Sequence, residues 1–344
     1  ELYNITLVLL DSDNEYAYRL KKNVNIVQLT FNSSFAKSLV SMYAFPAKVL
    51  KKLSVNSFIA YYDFISNCVT NVFEKTYDIA IDFYGYGSFV TAFLATKIQA
   101  KKKATWLHDE KPYWMKSVQK YLCEYDKIYG VSQAVVDAFC REYPHYKDKA
   151  AVFYNVIDIE EIKRKSEQDE IIPFKESFNI VTVGRLTEQK GYDIAIKAAS
   201  ILKKRKINFA WYAIGGGRDE KKLKKLVEKY CLENQFVFLG RKKNPYPYMK
   251  HCDLYVQPSR HEGYVITLVE ARALCLPILS SDIPSAREQI QDGINGYVAE
   301  LSAEDLADKI EYLYNNPSQR KKTVEYLKEH PIDFSTELLK LEII

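Results

Sequence analysis

The chain has 344 residues, which is longer than one hydrophobic core usually organises, so its length predicts two domains. Hydrophobic residues make up 47% and charged residues 27%, a balance that excludes wholesale disorder, a collagen-like fibre and a coiled-coil rod. The net charge of +5 is small for this length, and no module of interleaved basic and aromatic residues is present. We therefore expect no nucleic-acid partner, and we interpret the lysine clusters, such as Lys101-Lys102-Lys103, as solvated helix faces.

Short apolar runs rich in Val, Ile, Phe and Tyr alternate along the chain with longer amphipathic stretches. The predicted strands cover residues 5–10, 24–29, 79–83, 104–107, 127–131, 151–154, 179–183, 209–214, 236–239, 254–257, 277–280 and 296–299. The clearest predicted helices cover residues 192–204, 219–231, 267–274 and 303–314. This alternation predicts an α/β fold with parallel sheets and right-handed crossovers.

The alternation pauses once, in the polar and charged stretch 158–177. We therefore predict two Rossmann-like, doubly wound domains, the first over residues 1–160 and the second over 178–325, joined by a linker at 161–177. We expect residues 326–344 to form a helical segment that crosses back to the first domain. Two such sheets facing each other leave a central cleft at the carboxyl ends of their strands, where folds of this kind bind ligands.

Two basic side chains follow the first strand of the second domain. Arg185 lies directly after Gly184, and Lys190 follows a short polar loop just before a predicted helix. Arginine offers a planar fork to phosphate oxygens and lysine offers a mobile point charge. Two cations near a helix start oppose the helix dipole unless an anion is present. The alternative is a pair of surface cations, and the sequence favours an anion site.

Two carboxylates follow the strand at 254–257. Glu262 is expected on the loop, and Glu270 is expected about five residues inside the next helix. The backbone amides of Gly263, Tyr264, Val265 and Ile266 are then expected to form an anion site at the start of this helix. Ionised carboxylates accept hydrogen bonds from sugar hydroxyls, so the pair suits an uncharged polar ligand beside the anion.

With these segments in place, the sequence resembles the family 4 glycosyltransferases, which are retaining sugar-nucleotide enzymes of the GT-B fold. The resemblance covers residues 178–315 and rests on Val183-Gly184-Arg185-Leu186 with Lys190-Gly191, on Ile214-Gly215-Gly216-Gly217, and on the run from Ser259 to Ala271. It is weaker in the first half, at Trp106-Leu107-His108, Val131-Ser132 and the stretch 154–158.

The resemblance implies a role for each matching residue. Arg185 and Lys190 would neutralise the donor diphosphate, with Gly184 and the amides of residues 263–266 around sugar or phosphate. Glu270 would hold the nucleotide ribose, while Gly215, Gly216 and Arg241 would border the nucleotide. Glu262 would approach the donor sugar, and His108 would lie near the reacting centre. The expected ligands are a nucleotide-sugar donor, with UDP-hexose as the default, and a glycan or lipid-linked glycan acceptor. No cofactor and no metal are expected.

The sequence departs from the family pattern in three places. Val265 and Cys275 stand where the family often has smaller residues. The run at 5–10 looks like the family's second strand, so we expect the chain to lack about one strand-helix unit of about 30 residues. That unit helps to define the acceptor side of such enzymes.

Other enzyme classes leave weaker traces. Asp11-Ser12-Asp13 after a strand resembles the metal-binding pair of GT-A transferases, a reading that divalent-metal dependence would support. A nicotinamide dehydrogenase is disfavoured because Glu220 breaks the three-glycine spacing after Gly215. A sugar-nucleotide epimerase of the same fold would turn over donor without acceptor, and a non-catalytic partner protein would bind without turnover.

The acceptor side carries a mixed aromatic and lysine-containing stretch at 33–75, for example Phe45, Lys48 and Tyr61. These residues suit helices packed on the first sheet, and they also suit a peripheral contact with anionic membrane. We therefore expect a cytoplasmic protein that associates with the inner face of the plasma membrane.

Overall fold

The computed structural model describes residues 3–10, 24–41, 55–85, 89–168, 174 and 176–340. Asp11, Asp13 and the stretch 42–54, with Phe45 and Lys48, lie outside the described residues.

The described strands form three sheets, and every pair of strands within them is parallel, as the alternating pattern predicts. The strands are β1 (Thr6–Leu9), β2 (Asn25–Gln28), β3 (Tyr77–Asp82), β4 (Ala100–Leu107), β5 (Lys127–Gly130), β6 (Ala150–Val152), β7 (Phe178–Val183), β8 (Phe209–Ile214), β9 (Phe236–Gly240), β10 (Leu254–Gln257), β11 (Ile278–Ser281) and β12 (Tyr297–Ala299). Their order is β1-β2, β3-β4-β5-β6 and β12-β11-β10-β7-β8-β9.

Helices connect the strands. They are α1 (Ser34–Ser41), α2 (Val55–Asn67), α3 (Phe89–Lys97), α4 (Gln133–Glu142), α5 (Ile159–Ser166), α6 (Tyr192–Lys204), α7 (Glu220–Lys229), α8 (Tyr246–Lys250), α9 (Ile266–Ala273), α10 (Pro284–Arg287), α11 (Ala303–Asn315), α12 (Pro317–Glu329) and α13 (Ser335–Leu339). Short 3-10 turns cover Pro112–Ser117, Gln119–Glu124, Pro144–Lys149 and Glu188–Lys190.

The second half of the chain is built on a six-stranded sheet that is covered on both faces. Strand β8 shows this, because all six of its residues are buried. Phe209, Trp211 and Ala213 pack in one apolar cluster with α6 and α11, while Tyr212 and Ile214 pack in the cluster on the other face. A strand that is buried on both faces has apolar residues at nearly every position. The sequence predicted β8 from such a continuous apolar run.

Strand β4 corrects the interpretation of one lysine cluster. The strand begins at Ala100 rather than at residue 104, so Lys101 and Lys102 lie in a strand and not on a helix face. Their ammonium groups pair with carboxylates of the neighbouring strand ends, Lys101 with Asp78 at 2.7 Å and Lys102 with Asp126 at 3.4 Å. Cross-strand charge pairs of this kind make an exposed lysine run compatible with a β-sheet.

A helix occupies part of the predicted linker 161–177. Helix α5 begins after Asp158, whose carboxylate accepts a hydrogen bond from the Glu161 amide at 2.8 Å. This N-cap satisfies one of the free amides at the helix start. Glu161 also pairs with Arg164 and Lys165, one turn further along. The charged residues at the start of the predicted linker therefore belong to a capped helix, and the linker itself stays a prediction.

Hydrogen bonds join the two halves of the chain around Glu288 and near the chain end. The carboxylate of Glu288, after α10, accepts hydrogen bonds from the amides of Gln133 and Ala134, both at 2.8 Å, at the start of α4. Near the chain end, Glu337 accepts from the Tyr154 amide at 3.0 Å, and Lys340 donates to the Val152 carbonyl at 3.0 Å. These contacts hold the carboxyl-terminal segment against the end of β6.

Candidate active site

The loops that follow β7 and β8 touch through glycine. Gly184 donates its amide to the Ile214 carbonyl at 3.0 Å, and Leu186 donates to the Gly216 carbonyl at 3.1 Å. At Gly215, whose φ is +149°, a Cβ atom would lie 1.9 Å from the Gly184 carbonyl oxygen. Only glycine allows this approach, so the two strand ends form one continuous backbone surface.

The loop after β7 is joined in the same way to the loop after β10. Gly191, with φ of +67°, opens α6, and a Cβ atom there would lie 1.8 Å from the Pro258 carbonyl oxygen. The Arg260 amide donates to the Gln189 carbonyl at 2.8 Å. The Lys190 side chain then passes over Gly184, where its carbon atoms would lie 3.4–3.7 Å from an added Cβ. These contacts of residues 184–191 place the Lys190 side chain at the carboxyl end of the sheet.

The ammonium group of Lys190 reaches the carboxylate of Glu262. The Nζ to Oε1 distance is 2.6 Å, and only 15% of the Lys190 side chain and 9% of the Glu262 side chain are exposed. The same oxygen accepts a hydrogen bond from the Ser259 hydroxyl at 2.6 Å. Two side chains that are 72 positions apart in the sequence therefore form a largely buried ion pair at the carboxyl ends of β7 and β10.

A buried amide supports this carboxylate from behind. Gln257 is the last residue of β10. Its side-chain amide oxygen, Oε1, accepts a hydrogen bond from the hydroxyl of Thr267 at 3.0 Å and another from the hydroxyl of Tyr255. Its NH2 group therefore faces Ser259, to which it donates at 2.6 Å, and Glu262 at 3.5 Å. This row of hydrogen bonds fixes which oxygen of Glu262 meets the protein.

Glu270 lies on α9 at the same end of the sheet. Its Oε1 atom accepts a hydrogen bond from the Tyr246 hydroxyl at 2.9 Å. Burial raises the pKa of Glu270 above its ordinary value, and the hydrogen bond from Tyr246 and the charge of Lys190 oppose this rise. The charge of Lys190 thus favours the ionised form of Glu270, while its ammonium group pairs directly with Glu262.

The start of α9 differs in one respect from the sequence-based expectation. The Ile266 amide donates to the Tyr264 carbonyl at 3.0 Å, so this amide is already used within the turn. Within the described part of the chain, the amides of Gly263, Tyr264 and Val265 donate to no acceptor. Val265 as a whole residue is 1% exposed, and its side chain packs in the core. Three of the four expected amides therefore have no acceptor among the described residues, and the anion site itself stays a prediction.

Two predicted cations remain open to solvent. Arg185 and Arg241 are exposed, and neither guanidinium forms an ion pair within the ranges that the structure describes. The Arg241 side chain lies along Gly216, where an added Cβ would be 3.0 Å from its Nε atom. Arg185 belongs to the loop after β7 that carries Lys190, and Arg241 lies along the loop after β8.

The first half of the chain contributes His108, at the carboxyl end of β4. Its Nε2–H donates to the Phe83 carbonyl at 2.8 Å, since a carbonyl can only accept. Its own carbonyl oxygen faces Gly263, where an added Cβ would lie 1.9 Å away. The structure therefore brings His108 next to the loop that carries Glu262, as expected for a site between the two halves.

Two carboxylates have contacts that the sequence did not predict. Asp82 is fully buried at the end of β3 and accepts from Thr91 at 2.6 Å, Thr105 at 3.0 Å and the Gly85 amide at 3.0 Å. Burial raises its pKa, and these donors oppose the rise. The sequence predicts an apolar strand at this position. The charged carboxyl group of Asp82 within that strand is the signal that could have identified it as a buried polar centre.

The second missed element is an ion pair between Arg260 and Asp193. Both guanidinium contacts to the carboxylate measure 2.8 Å, and Arg260 also donates to the Glu188 carbonyl at 2.6 Å. This pair lowers the pKa of Asp193, chiefly through the hydrogen bonds from Arg260. It ties the first turn of α6 to the loop after β10. No local sequence pattern predicts this ion pair, because its two partners are 67 positions apart.

Within the described ranges, no group of three His, Cys, Asp or Glu side chains is arranged to hold a metal ion. No helix of the described part of the chain is long and apolar enough to cross a membrane.

A family model described as "Glycosyl transferases group 1" matches residues 163–330. An uncharacterized glycosyltransferase of Methanocaldococcus jannaschii is 33% identical over 172 residues, which cover 49% of this chain and 40% of the relative. The N-acetylgalactosamine-N,N'-diacetylbacillosaminyl-diphospho-undecaprenol 4-alpha-N-acetylgalactosaminyltransferase of Campylobacter jejuni is 30% identical over 184 residues, covering 50% of this chain and 49% of that protein. The chain spans about half the length of these relatives.

Solved structures show the same architecture. Anabaena HepE, solved with UDP and glucose, matches with a TM-score of 0.72 at 18% identity, covering 98% of this chain and 90% of HepE. Staphylococcus aureus TarM, solved in a complex that contains UDP, matches with a TM-score of 0.66 at 21% identity, covering 77% of this chain and 54% of TarM. These likenesses confirm the predicted GT-B fold with two Rossmann-like domains.

Proposed function

Residues 163–330 form a glycosyl transferases group 1 domain, and from this premise we propose that the chain is a retaining glycosyltransferase. It would move a hexose or an N-acetylhexosamine from a nucleotide diphosphate sugar, with UDP as the expected nucleotide, to a hydroxyl group of a glycan or a lipid-linked glycan. The observation that carries the proposal is the convergence of Lys190, Glu262 and Glu270 at one end of the six-stranded sheet.

The donor diphosphate is assigned to the cationic side of this site. Lys190 and Arg185 lie on one loop, and the amides of Gly263, Tyr264 and Val265, just before α9, would complete the anion site. Lysine and arginine neutralise phosphate charge, and amides at a helix start add to this effect. Arg241, beside Gly215 and Gly216, would border the nucleotide.

The two carboxylates are assigned to hydroxyl groups of the donor. Glu270 would accept hydrogen bonds from the ribose, and Glu262 would accept them from the transferred sugar. An ionised carboxylate only accepts, so it matches hydroxyl donors and repels phosphate. The separate positions of the two groups, one on α9 and one on the preceding loop, suit two different sugar rings.

The proposed reaction needs no nucleophile from the protein. The bond between the anomeric carbon and the diphosphate oxygen breaks, and the acceptor oxygen forms its bond to that carbon on the same face. The proton of the acceptor hydroxyl passes to the departing phosphate oxygen. The charge that builds on the diphosphate is stabilised by Lys190, Arg185 and the amides, which are already oriented before the reaction. His108 would line the acceptor side beside Gly263.

The acceptor and the location follow from analogy. One relative is named for transfer to a diphospho-undecaprenol carrier, and another is named as a putative colanic acid biosynthesis glycosyltransferase. We therefore place this chain in cell-surface polysaccharide synthesis, in the cytoplasm and in peripheral contact with the inner face of the plasma membrane. Cosedimentation with anionic liposomes at low salt tests the membrane contact, and its failure would remove that part.

Thermal-shift screening against sugar nucleotides tests the donor assignment. A ligand at 100 times its dissociation constant stabilises the folded state by about 2.7 kcal/mol, which is readily measured. We expect one sugar nucleotide to raise the melting temperature of the wild type and not that of Lys190→Ala. Transfer of labelled sugar from that donor to membranes would then establish turnover. A chain that no sugar nucleotide stabilises would contradict the proposal.

A further inference from the structure

The ion pair between Lys190 and Glu262 occupies the ammonium group that the proposed function assigns to the donor diphosphate. Both side chains are largely buried, and the atoms meet at 2.6 Å. A buried charge that loses its partner without replacement is strongly destabilised. In the empty site, each of these two groups therefore serves as the counter-ion of the other.

A diphosphate that enters the site competes with Glu262 for the same cation. The ammonium group is a compact point charge, and an anion brought close to it also lies close to the carboxylate that it already binds. Two anions on one cation repel each other. Binding of the diphosphate should therefore weaken the contact between Lys190 and Glu262.

Glu262 does not depend on Lys190 alone for its position. Its Oε1 atom accepts from Ser259 at 2.6 Å, and Ser259 in turn accepts from Gln257 at 2.6 Å. The carbonyl of its own backbone accepts from Ser285 at 2.9 Å. All the side-chain contacts meet Oε1, and Oε2 accepts no hydrogen bond from any described residue. A carboxylate so held can lose its cation and still present Oε2 to a ligand hydroxyl.

Resting on the proposed function, we infer that donor binding exchanges counter-ions. Lys190 passes from Glu262 to the diphosphate, and a hydroxyl of the donor sugar takes the place of Lys190 at Glu262. The sugar thus compensates Glu262 for the lost cation, whereas a nucleoside diphosphate without its sugar does not. Glu262 then acts as a selectivity residue that favours the intact donor over the leaving group.

The inference is tested by binding of inorganic pyrophosphate, measured by calorimetry at low salt. Glu262→Gln keeps the shape of the side chain and removes the competing charge. We expect it to bind pyrophosphate about tenfold more tightly than the wild type does, which corresponds to about 1.4 kcal/mol. Glu188→Gln is the matched control, because it removes one negative charge from the loop that carries Lys190 and leaves the ion pair between Lys190 and Glu262 intact. Its affinity should stay close to that of the wild type.

Each outcome decides the inference. Tighter binding by Glu262→Gln alone supports the exchange. Equal or weaker binding by Glu262→Gln overturns the exchange and leaves the donor site in place, and so does an equal gain in Glu188→Gln. Absence of pyrophosphate binding in all three proteins overturns both the exchange and the proposed donor site. Should Glu262→Gln not fold, Glu262→Asp carries the same test, because its shorter side chain loosens the pair. A higher affinity then supports the exchange, and an unchanged or lower one overturns it.

Discussion

Replacing Gly263 by alanine should separate the two halves of the site. An added Cβ would lie 1.9 Å from the His108 carbonyl oxygen, 2.5 Å from its carbonyl carbon and 3.1 Å from the Asp109 amide nitrogen. A real Cβ atom essentially never comes closer than 3.0 Å to such an atom, so the backbone must move by about 1 Å or more. The obstacle is backbone, which cannot turn aside as a flexible side chain can.

The displacement falls on the reacting groups. Either His108 recedes from the loop, or the loop carries the neighbouring Glu262 away from it. A misplacement of about 1 Å can cost about 100-fold in rate, so we expect the turnover number for sugar transfer to fall by about that factor. The affinity for the nucleoside diphosphate should fall less than the turnover number, because the Gly263 amide is only one of its proposed contacts, whereas Lys190 and Arg185 lie on another loop.

The assay measures donor-dependent release of nucleoside diphosphate, using the sugar nucleotide that stabilises the wild type, beside calorimetric binding of the nucleoside diphosphate. Gly293→Ala is the control. Its φ of +77° makes alanine unfavourable by about 1–2 kcal/mol, but an added Cβ would meet no atom within 4 Å. A Gly263→Ala protein with wild-type turnover, or an equal loss in the control, would refute the reasoning.

Three further results are expected. Ser259→Ala removes a hydrogen bond to the charged Glu262, so its turnover number should fall about tenfold and Ser259→Thr should restore it, as measured by steady-state kinetics; no change would contradict the positioning role. The pKa of Glu270 is raised on folding, so the folded state binds more protons than the unfolded state and loses stability as the pH rises from 4.5, the ordinary pKa of glutamate, to the raised pKa. Glu270→Gln should lack this loss when stability is measured by urea titration across that pH range. Parallel curves of stability against pH for the two proteins would contradict this prediction. Asp158→Ala removes the cap on Glu161 and should lower the free energy of unfolding by about 1 kcal/mol with turnover unchanged, whereas altered turnover would implicate α5 in the site.

The periodicity of the sequence predicted most of the second half of the chain. Strand β8 and helix α6 have the predicted bounds because their apolar residues repeat without interruption, and the strand ends located Lys190 and Glu262 on adjacent loops. The family resemblance, and not the spacing, suggested that these residues act together. The direct contact of their side chains at 2.6 Å becomes visible only in the folded structure.

What the sequence could not provide are partners that are distant along the chain. The start of β4 was missed because Asp78 and Asp126, which balance its lysines, lie more than 20 positions away. The bond from Arg260 to Asp193 spans 67 positions. In each case a local window shows a charge without its counter-ion, and only the tertiary fold supplies that counter-ion.

The contact of Glu288 with α4 restricts where an acidic acceptor could be held. The Gln133 and Ala134 amides are taken by Glu288, and the Val135 amide is taken by the Ser132 hydroxyl at 3.2 Å. Such a helix start would otherwise attract a phosphate group. While the two halves stay joined there, the protein's own carboxylate occupies this helix start. If the proposed acceptor is a lipid diphosphate, its counter-charge would have to come from another surface.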